Sequence, residues 1–323
     1  MNADKHGSIN VSVFICENPC TKKLLMHLFI TGIKGQLGSE LARQAAEPPE
    51  GLRSVPERSR VGKPSGGFRV AGNDLPALDI TDLAQTRAAI AAARPDVVLH
   101  CAAFTDVDGA ARQPDLAYRA NGLGTQNVAL ACAESNAAML YVSSNEVFDG
   151  AKTEPYREFD STNPINPYGH SKLAGEKFTT LLLSRFYIVR TSWLTAKGGR
   201  NFVHRIQQLA DERGIQGVSV VTDEVACPTF TADLATAILK LIATGRYGIY
   251  HLVNAGYCSR YDFAKHILEL SGRRHVPVEP ILLSDFPRPS APPKFTPLAN
   301  QAAAALGITL RPWQEALEEF MRS

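Results

Sequence analysis

The sequence predicts an α/β protein built on a doubly wound parallel sheet, with a smaller C-terminal lobe for the substrate. Three observations carry this expectation. From Met26 onward, short and continuously apolar runs alternate with segments of helical length, as in strands buried on both faces. The first of these runs meets a glycine-rich turn that opens a helical segment, the order in which such sheets hold phosphate groups. A tyrosine and a lysine four residues apart then open a helix that follows a later strand, which places both on one helix face.

In chain order, Leu28 to Thr31 reads as the first strand and Gln36 to Gln44 as the helix after the turn. Phe68 to Ala71 is a second strand, Leu83 to Ala93 a helix closed by Arg94-Pro95-Asp96, and Val97 to Cys101 a buried strand. Asn121 to Ser135 and Tyr168 to Leu183 read as helices, Met139 to Ser143 and Phe186 to Thr191 as strands. After Trp193 the rhythm changes. Helical stretches over Phe202 to Arg213, Ala232 to Thr244 and Arg260 to Leu270 alternate with short strands at Val218 to Thr222 and Gly248 to Val253. Pro287 to Pro297 has too many prolines for a helix or central strand. The expected division is an extension over 1–25, a dinucleotide-binding domain over 26–195, and a mainly substrate-binding lobe over 196–323. Glu47 to Gly67, rich in Pro, Gly, Ser and Arg, reads as a surface insertion.

The chain has 323 residues, 45% hydrophobic and 20% charged, with a net charge of +2. No block of like charge points to nucleic acid or a membrane surface, and no apolar run reaches the ~20 residues that span a bilayer. Cys16, Cys20, Cys101, Cys132, Cys227 and Cys258 are scattered. The first pair is spaced like half a metal site with no second half, so reduced thiols and no metal are expected, in a cytoplasmic protein.

The turn Gly32-x-x-Gly35-x-x-Gly38 permits a tight bend, close approach of backbone to a pyrophosphate, and near contact of helix and sheet. Amides at the helix start would face the phosphates. The end of the second strand, Arg69 to Asp74, leaves the choice between NADH and NADPH open. Tyr168 is a phenol with an ordinary pKa of ~10, which the nearby ammonium of Lys172 is expected to lower toward working pH. Ser144 ends the preceding strand at the carboxyl edge of the sheet, where it could donate to a substrate carbonyl. His170 faces away from the pair and reads as solvated, and His100 as a satisfied core residue.

These pieces carry a resemblance. Gly32-x-x-Gly35-Gln36-Leu37-Gly38, Ala102-Ala-Phe-Thr105-x-Val-Asp108, Tyr141-Val-Ser-Ser-Asn-Glu-Val-Phe148, Tyr168-x-x-x-Lys172-Leu-Ala-Gly-Glu176 and Arg190-Thr-Ser-Trp193 together resemble the dTDP-4-dehydrorhamnose reductase family of extended short-chain dehydrogenases. The resemblance covers about Met26 to Leu241 and fades beyond. It implies a Rossmann fold and an enzyme that passes hydride from NADPH or NADH to the C4 keto group of dTDP-4-dehydro-L-rhamnose. Gly32, Gly35, Gln36, Leu37 and Gly38 would hold the pyrophosphate, and Asp79 and Ile80 would lie by the adenine. Ala102, Ala103, Phe104 and Thr105 would line the cofactor, with Tyr168 and Lys172 completing its site. Ser144 and Asn145 would meet the sugar nucleotide, on which Trp193 would pack. Ser144, Tyr168 and Lys172 would be catalytic. The partners implied are the nucleotide sugar and a second copy of the chain. Glu40 matches a glutamate that some members link to magnesium at a dimer contact, but no metal is expected here.

The chain departs from the family in two places. The usual Ser-Thr-Asp-Tyr-Val-Phe is Ser143-Ser-Asn145-Glu146-Val-Phe148, and an arginine-rich C-terminal segment is replaced by Pro289-Ser-Ala-Pro-Pro-Lys294. Two other readings compete. A sugar-nucleotide dehydratase or epimerase shares the fold, although Asn145 offers no acid where dehydratases carry one. A non-catalytic, NADP-binding subunit such as the regulatory beta subunit of methionine adenosyltransferase also shares it, but Trp193 favours a site that stacks a sugar.

Overall fold

The computed structural model describes residues 25–47, 67–198 and 201–322. The Cys16 and Cys20 pair, the 1–24 extension and nearly all of the Glu47 to Gly67 insertion lie outside them. The N-terminal half runs β1 (Met26–Thr31), α1 (Gln36–Ala46), β2 (Phe68–Asn73), α2 (Leu83–Ala93), β3 (Val97–His100), α3 (Val107–Arg112), α4 (Pro114–Tyr118), α5 (Gly124–Glu134), β4 (Ala138–Ser144), α6 (Pro167–Leu182) and β5 (Phe186–Thr191). There follow β6 (Leu194–Thr195), α7 (Phe202–Arg213), β7 (Val218–Val221), β8 (Val225–Ala226), β9 (Thr229–Phe230), α8 (Thr231–Ala243), β10 (Gly248–His251), β11 (Cys258–Ser259), α9 (Arg260–Leu270), β12 (Val278–Ile281), α10 (Gln301–Ala304) and α11 (Trp313–Arg322).

The central sheet has the order β10-β5-β4-β3-β1-β2, and every pair in it is parallel. Because a strand turns alternate side chains to opposite faces, Leu28 and Ile30 of β1 point into one layer with Leu37 and Leu41 of α1 and Leu234 and Ile238 of α8. Phe29 points into the other, with Ile90 of α2 and Val128 of α5. The strand order reverses at β1, which has β2 on one side and β3 on the other; that is the point where such sheets open a ligand crevice at their carboxyl edge.

The expected boundary at residue 195 does not divide the sheet. Gly248–His251, expected in the smaller lobe, pairs in parallel with β5 as the sixth strand, and α8 covers the α1 face. These stretches belong with the central sheet because their apolar residues fill its core. The remaining C-terminal elements gather round a separate cluster that includes Val203, Ile206, Phe230, Phe263, Ile267, Trp313 and Leu317. Pro287 to Pro297 forms no helix or strand; Phe295 within it bridges to Val225 of β8, and Leu298 just past it bridges back to Tyr156 in the first half. Among the described residues no helix is long and apolar enough to cross a membrane.

Candidate active site

The glycine turn is a cradle set by backbone proximity. Gly32 has φ +71, and a Cβ there would lie 2.8 Å from the backbone of Ala102. A Cβ at Gly38 would lie 2.1 Å from the Gly32 carbonyl oxygen. Only glycine lets the helix start, the turn and the end of β3 come this close. Gly35 is the N-cap of α1, with no side chain capping the helix and no acidic residue in its first turn. The free amides of Gln36 and Leu37 are therefore available to an anion. Leu37 sends its side chain into the core, so its backbone alone can serve a ligand. A dinucleotide fits this cradle.

Beside it, Ala102, Ala103, Phe104 and Thr105 leave the carboxyl end of β3. Their path is fixed by Asn121, which accepts from Phe104 N–H at 2.8 Å, donates to its carbonyl at 3.0 Å, and donates to Ser171 Oγ at 2.9 Å. Asn121 lies in a π-helical turn, Arg119–Leu123, that interrupts the expected helix before α5; such bulges re-aim side chains. The sequence offered no sign of this role, because both partners are remote in the chain. In the segment expected to lie by the adenine, Asp79 accepts from Thr81 N–H at 2.9 Å and Asn127 donates to the Ile80 carbonyl at 2.9 Å. Asp74, just past β2, accepts from Lys34 N–H of the glycine turn at 3.1 Å.

The residues expected to be catalytic are brought together by α6. Asn166 caps it, accepting from Gly169 N–H at 2.8 Å, and Pro167 pre-sets its first turn. Tyr168 and Ser144 share a hydrogen bond, and Lys172 donates its Nζ proton to the Val142 carbonyl at 2.6 Å while lying 4.3 Å from the Tyr141 ring centre. Burial pulls the Lys172 ammonium down to about 7, against the opposing charge of Glu176. The expected lowering of the Tyr168 phenol is not what the structure gives. Burial, and next the carboxylate of Glu146, push it up, with Ser144 opposing. A desolvated phenolate with a carboxylate near it is costly, and the Ser144 hydrogen bond does not offset that cost, so the phenol keeps its proton, as a donor should.

The motif residues around this group have structural reasons. A Cβ at Gly175 would lie 2.4 Å from Tyr141 Oη, and Glu176 forms a buried two-pronged pair with Arg190 at 2.9 and 2.7 Å while accepting from Ser143 Oγ at 2.6 Å. His100 is buried between Thr31 Oγ1 at 2.7 Å and Thr125 Oγ1 at 3.1 Å, and His170 is exposed. Asn145 is 5% exposed; its amide donates to Thr296 Oγ1 at 2.7 Å and its oxygen accepts from Ser144 at 3.3 Å. Trp193 has φ +41 and one face covered by the Arg260 guanidinium, 3.6 Å from a ring centre. Arg260 is itself paired with Glu224 at 3.0 Å. Sequence reasoning named the tryptophan but not the arginine over it. Glu40 is held by Arg43 at 2.9 Å and Gln44 at 2.7 Å.

The family model described as the RmlD substrate binding domain matches residues 26–323, past the point where the motifs fade. The chain is 37% identical over 302 residues to dTDP-4-dehydrorhamnose reductase of Mycobacterium tuberculosis, covering 90% of this chain and 90% of that protein. It is 35% identical over 295 residues to the spore coat polysaccharide biosynthesis protein SpsK of Bacillus subtilis, covering 91% and 96%. The crystal structure of dTDP-4-dehydrorhamnose reductase from Bacillus anthracis in complex with NADP is similar with a TM-score of 0.82 and 37% identity, over 93% of this chain and 100% of that one. With the family model matched over residues 26–323 and relatives of 35% and 37% identity covered along nearly their whole length, the chain belongs to the dTDP-4-dehydrorhamnose reductase family.

Proposed function

We propose that the chain reduces the C4 keto group of a nucleotide-linked 6-deoxy sugar with NADPH or NADH, turning dTDP-4-dehydro-L-rhamnose into dTDP-L-rhamnose. One observation carries the reading: Tyr168, hydrogen-bonded to Ser144, and the buried Lys172 stand at the sheet edge beside a glycine cradle suited to a dinucleotide. When bound, the reduced nicotinamide supplies the hydride that C4 accepts. Tyr168, its phenol held in the protonated form, gives its proton to the C4 oxygen as charge develops there. Ser144 Oγ accepts Glu146 N–H at 3.2 Å and donates to Asn145 Oδ1 at 3.3 Å; rotation of that hydroxyl toward the C4 oxygen adds a second donor as charge develops there. Lys172, fixed by Val142, holds the nicotinamide ribose hydroxyls. The amides of Gln36 and Leu37 take the pyrophosphate, with Gly32, Gly35 and Gly38 making room. Ala102, Ala103, Phe104 and Thr105 line the cofactor, and Asp79 and Ile80 its adenine. Trp193 lines the sugar subsite, and Asn145 supports Ser144 from behind. A dehydratase would need an acid where the Asn145 amide stands.

We place the enzyme in the cytoplasm, and assign it a homodimer that sedimentation would check. The reading is tested by supplying dTDP-4-dehydro-L-rhamnose with NADPH or NADH and following loss of reduced-nicotinamide absorbance. Tyr168→Phe should lower kcat by about 10³-fold while cofactor still binds by fluorescence. Normal turnover by that variant would remove Tyr168 as the acid.

A further inference from the structure

The turn after β4 carries a carboxyl group that the reduction does not use. Glu146 takes the place of a tyrosine in the usual family pattern, and its side chain is half-buried. Asn166 Nδ2 donates to Glu146 Oε2 at 2.6 Å, and the same Asn166 caps α6. The turn rests directly on that helix start, since a Cβ at Gly169 would come within 2.1 Å of the Glu146 carbonyl oxygen. The carboxyl is thus fixed to the helical turn that carries Tyr168, near enough for its charge to act on the phenol.

Among the described residues no cation pairs with Glu146 directly. Arg260, at the start of α9, pairs with Glu224 at 3.0 Å, and Arg288, in the proline-rich segment, pairs with Asp108 at 2.9 Å. Burial first, and the like charge of Glu224, push the carboxyl up to about 7 against the Asn166 hydrogen bond and the two more distant arginines. A carboxyl that divides evenly between acid and base near neutral pH is suited to taking and returning protons.

We propose that Glu146 is a second acid–base group of this site, one that removes and returns the proton on a carbon next to the keto group of the bound sugar. The inference rests on the reading above, which puts a 4-keto sugar at Ser144 and Tyr168. A ketone acidifies the C–H bonds beside it. The Glu146 carboxylate takes such a proton, and the C–H electron pair becomes a carbon–carbon double bond. The pair of the C4–O π bond moves to oxygen, giving an enolate that the Ser144 and Tyr168 hydroxyls stabilise. Return of the proton from the Glu146 carboxylic acid restores the ketone. No electrons enter or leave, and no co-reactant is needed.

The test is incubation of dTDP-4-dehydro-L-rhamnose with the protein and NADP+ in D2O, so that no hydride is available, with deuterium in the sugar read by mass spectrometry. Reduction by NADPH is measured in parallel. The wild-type protein is expected to exchange carbon-bound protons about 100-fold faster than buffer, with a rate that rises with pH through the neutral range as the carboxylate forms. Glu146→Gln should lose that exchange and its neutral pH step, so that the ratio of exchange to reduction falls by about 30-fold or more. Reduction without exchange in the wild type overturns the inference and leaves the reductase reading standing. Exchange by Glu146→Gln at the wild-type rate also overturns it, by assigning another base. Neither reaction in the wild type overturns both.

Discussion

Two carboxyl groups stand on opposite sides of the β4–α6 junction, and the protein treats them differently. Glu176 lies deep between strand and helix, gripped by both prongs of Arg190 and by Ser143. Glu146 lies just past the carboxyl end of β4, where its close partner is a neutral amide and the arginines that act on it are bound to other carboxylates. Both are buried enough that charge is costly. One has its compensation built in, while the other carries the cost as a raised proton affinity. The difference teaches that burial alone does not mark a functional acid. The lack of a charge partner does, because only then does the proton stay mobile near neutral pH.

Substitution should separate the two sharply. Glu176→Gln strands the Arg190 guanidinium in the interior, and breaking a buried pair from one side costs about 3–5 kcal/mol. Denaturant unfolding should show that loss at pH 5 and pH 8 alike. A variant as stable as the wild type would place Glu176 in the same class as Glu146 and end the comparison.

The legibility of the molecule in its sequence follows the same division. The Gly32 turn, the Tyr168 and Lys172 spacing and the apolar runs of the sheet were readable because each is a local pattern with one physical cause. Glu176 and Arg190 were visible only as pieces of a resemblance, since nothing in either segment says that they meet. The burial of Asn145 against Thr296, the Arg260 cover on Trp193 and the grip of Asn121 on Phe104 join distant parts of the chain. Gly248–His251 was readable as a strand, but its place beside β5 was not. A four-residue strand carries no mark of its neighbour.

Glu146→Gln should act in the opposite direction and mainly at one end of the pH scale. The folded protein holds a proton on Glu146 up to about 7, whereas the unfolded chain releases it near the ordinary carboxyl value of ~4.3. Wild-type stability therefore falls as pH rises through that window. The glutamine, which never ionises, should exceed the wild type by only about 1 kcal/mol at pH 5 and by about 3 kcal/mol at pH 8. Thermal unfolding at the two pH values reads this, and equal differences at both would show that the carboxyl is not proton-loaded.

A smaller effect is expected at the adenosine end. Asp74 faces the glycine turn through Lys34 N–H, at the strand end where an acid favours a free ribose hydroxyl over a phosphate. Asp74→Asn should raise the affinity for NADPH relative to NADH by up to about tenfold, measured by fluorescence titration of each cofactor. An unchanged ratio would take Asp74 out of cofactor choice.

The most direct test of the account follows the hydride itself. NADPH deuterated at the transferring position of the nicotinamide is supplied with dTDP-4-dehydro-L-rhamnose, and the product is read by NMR. The account predicts deuterium on C4 of the sugar and dTDP-L-rhamnose as the product. Consumption of the keto sugar with only protium at C4 would contradict it.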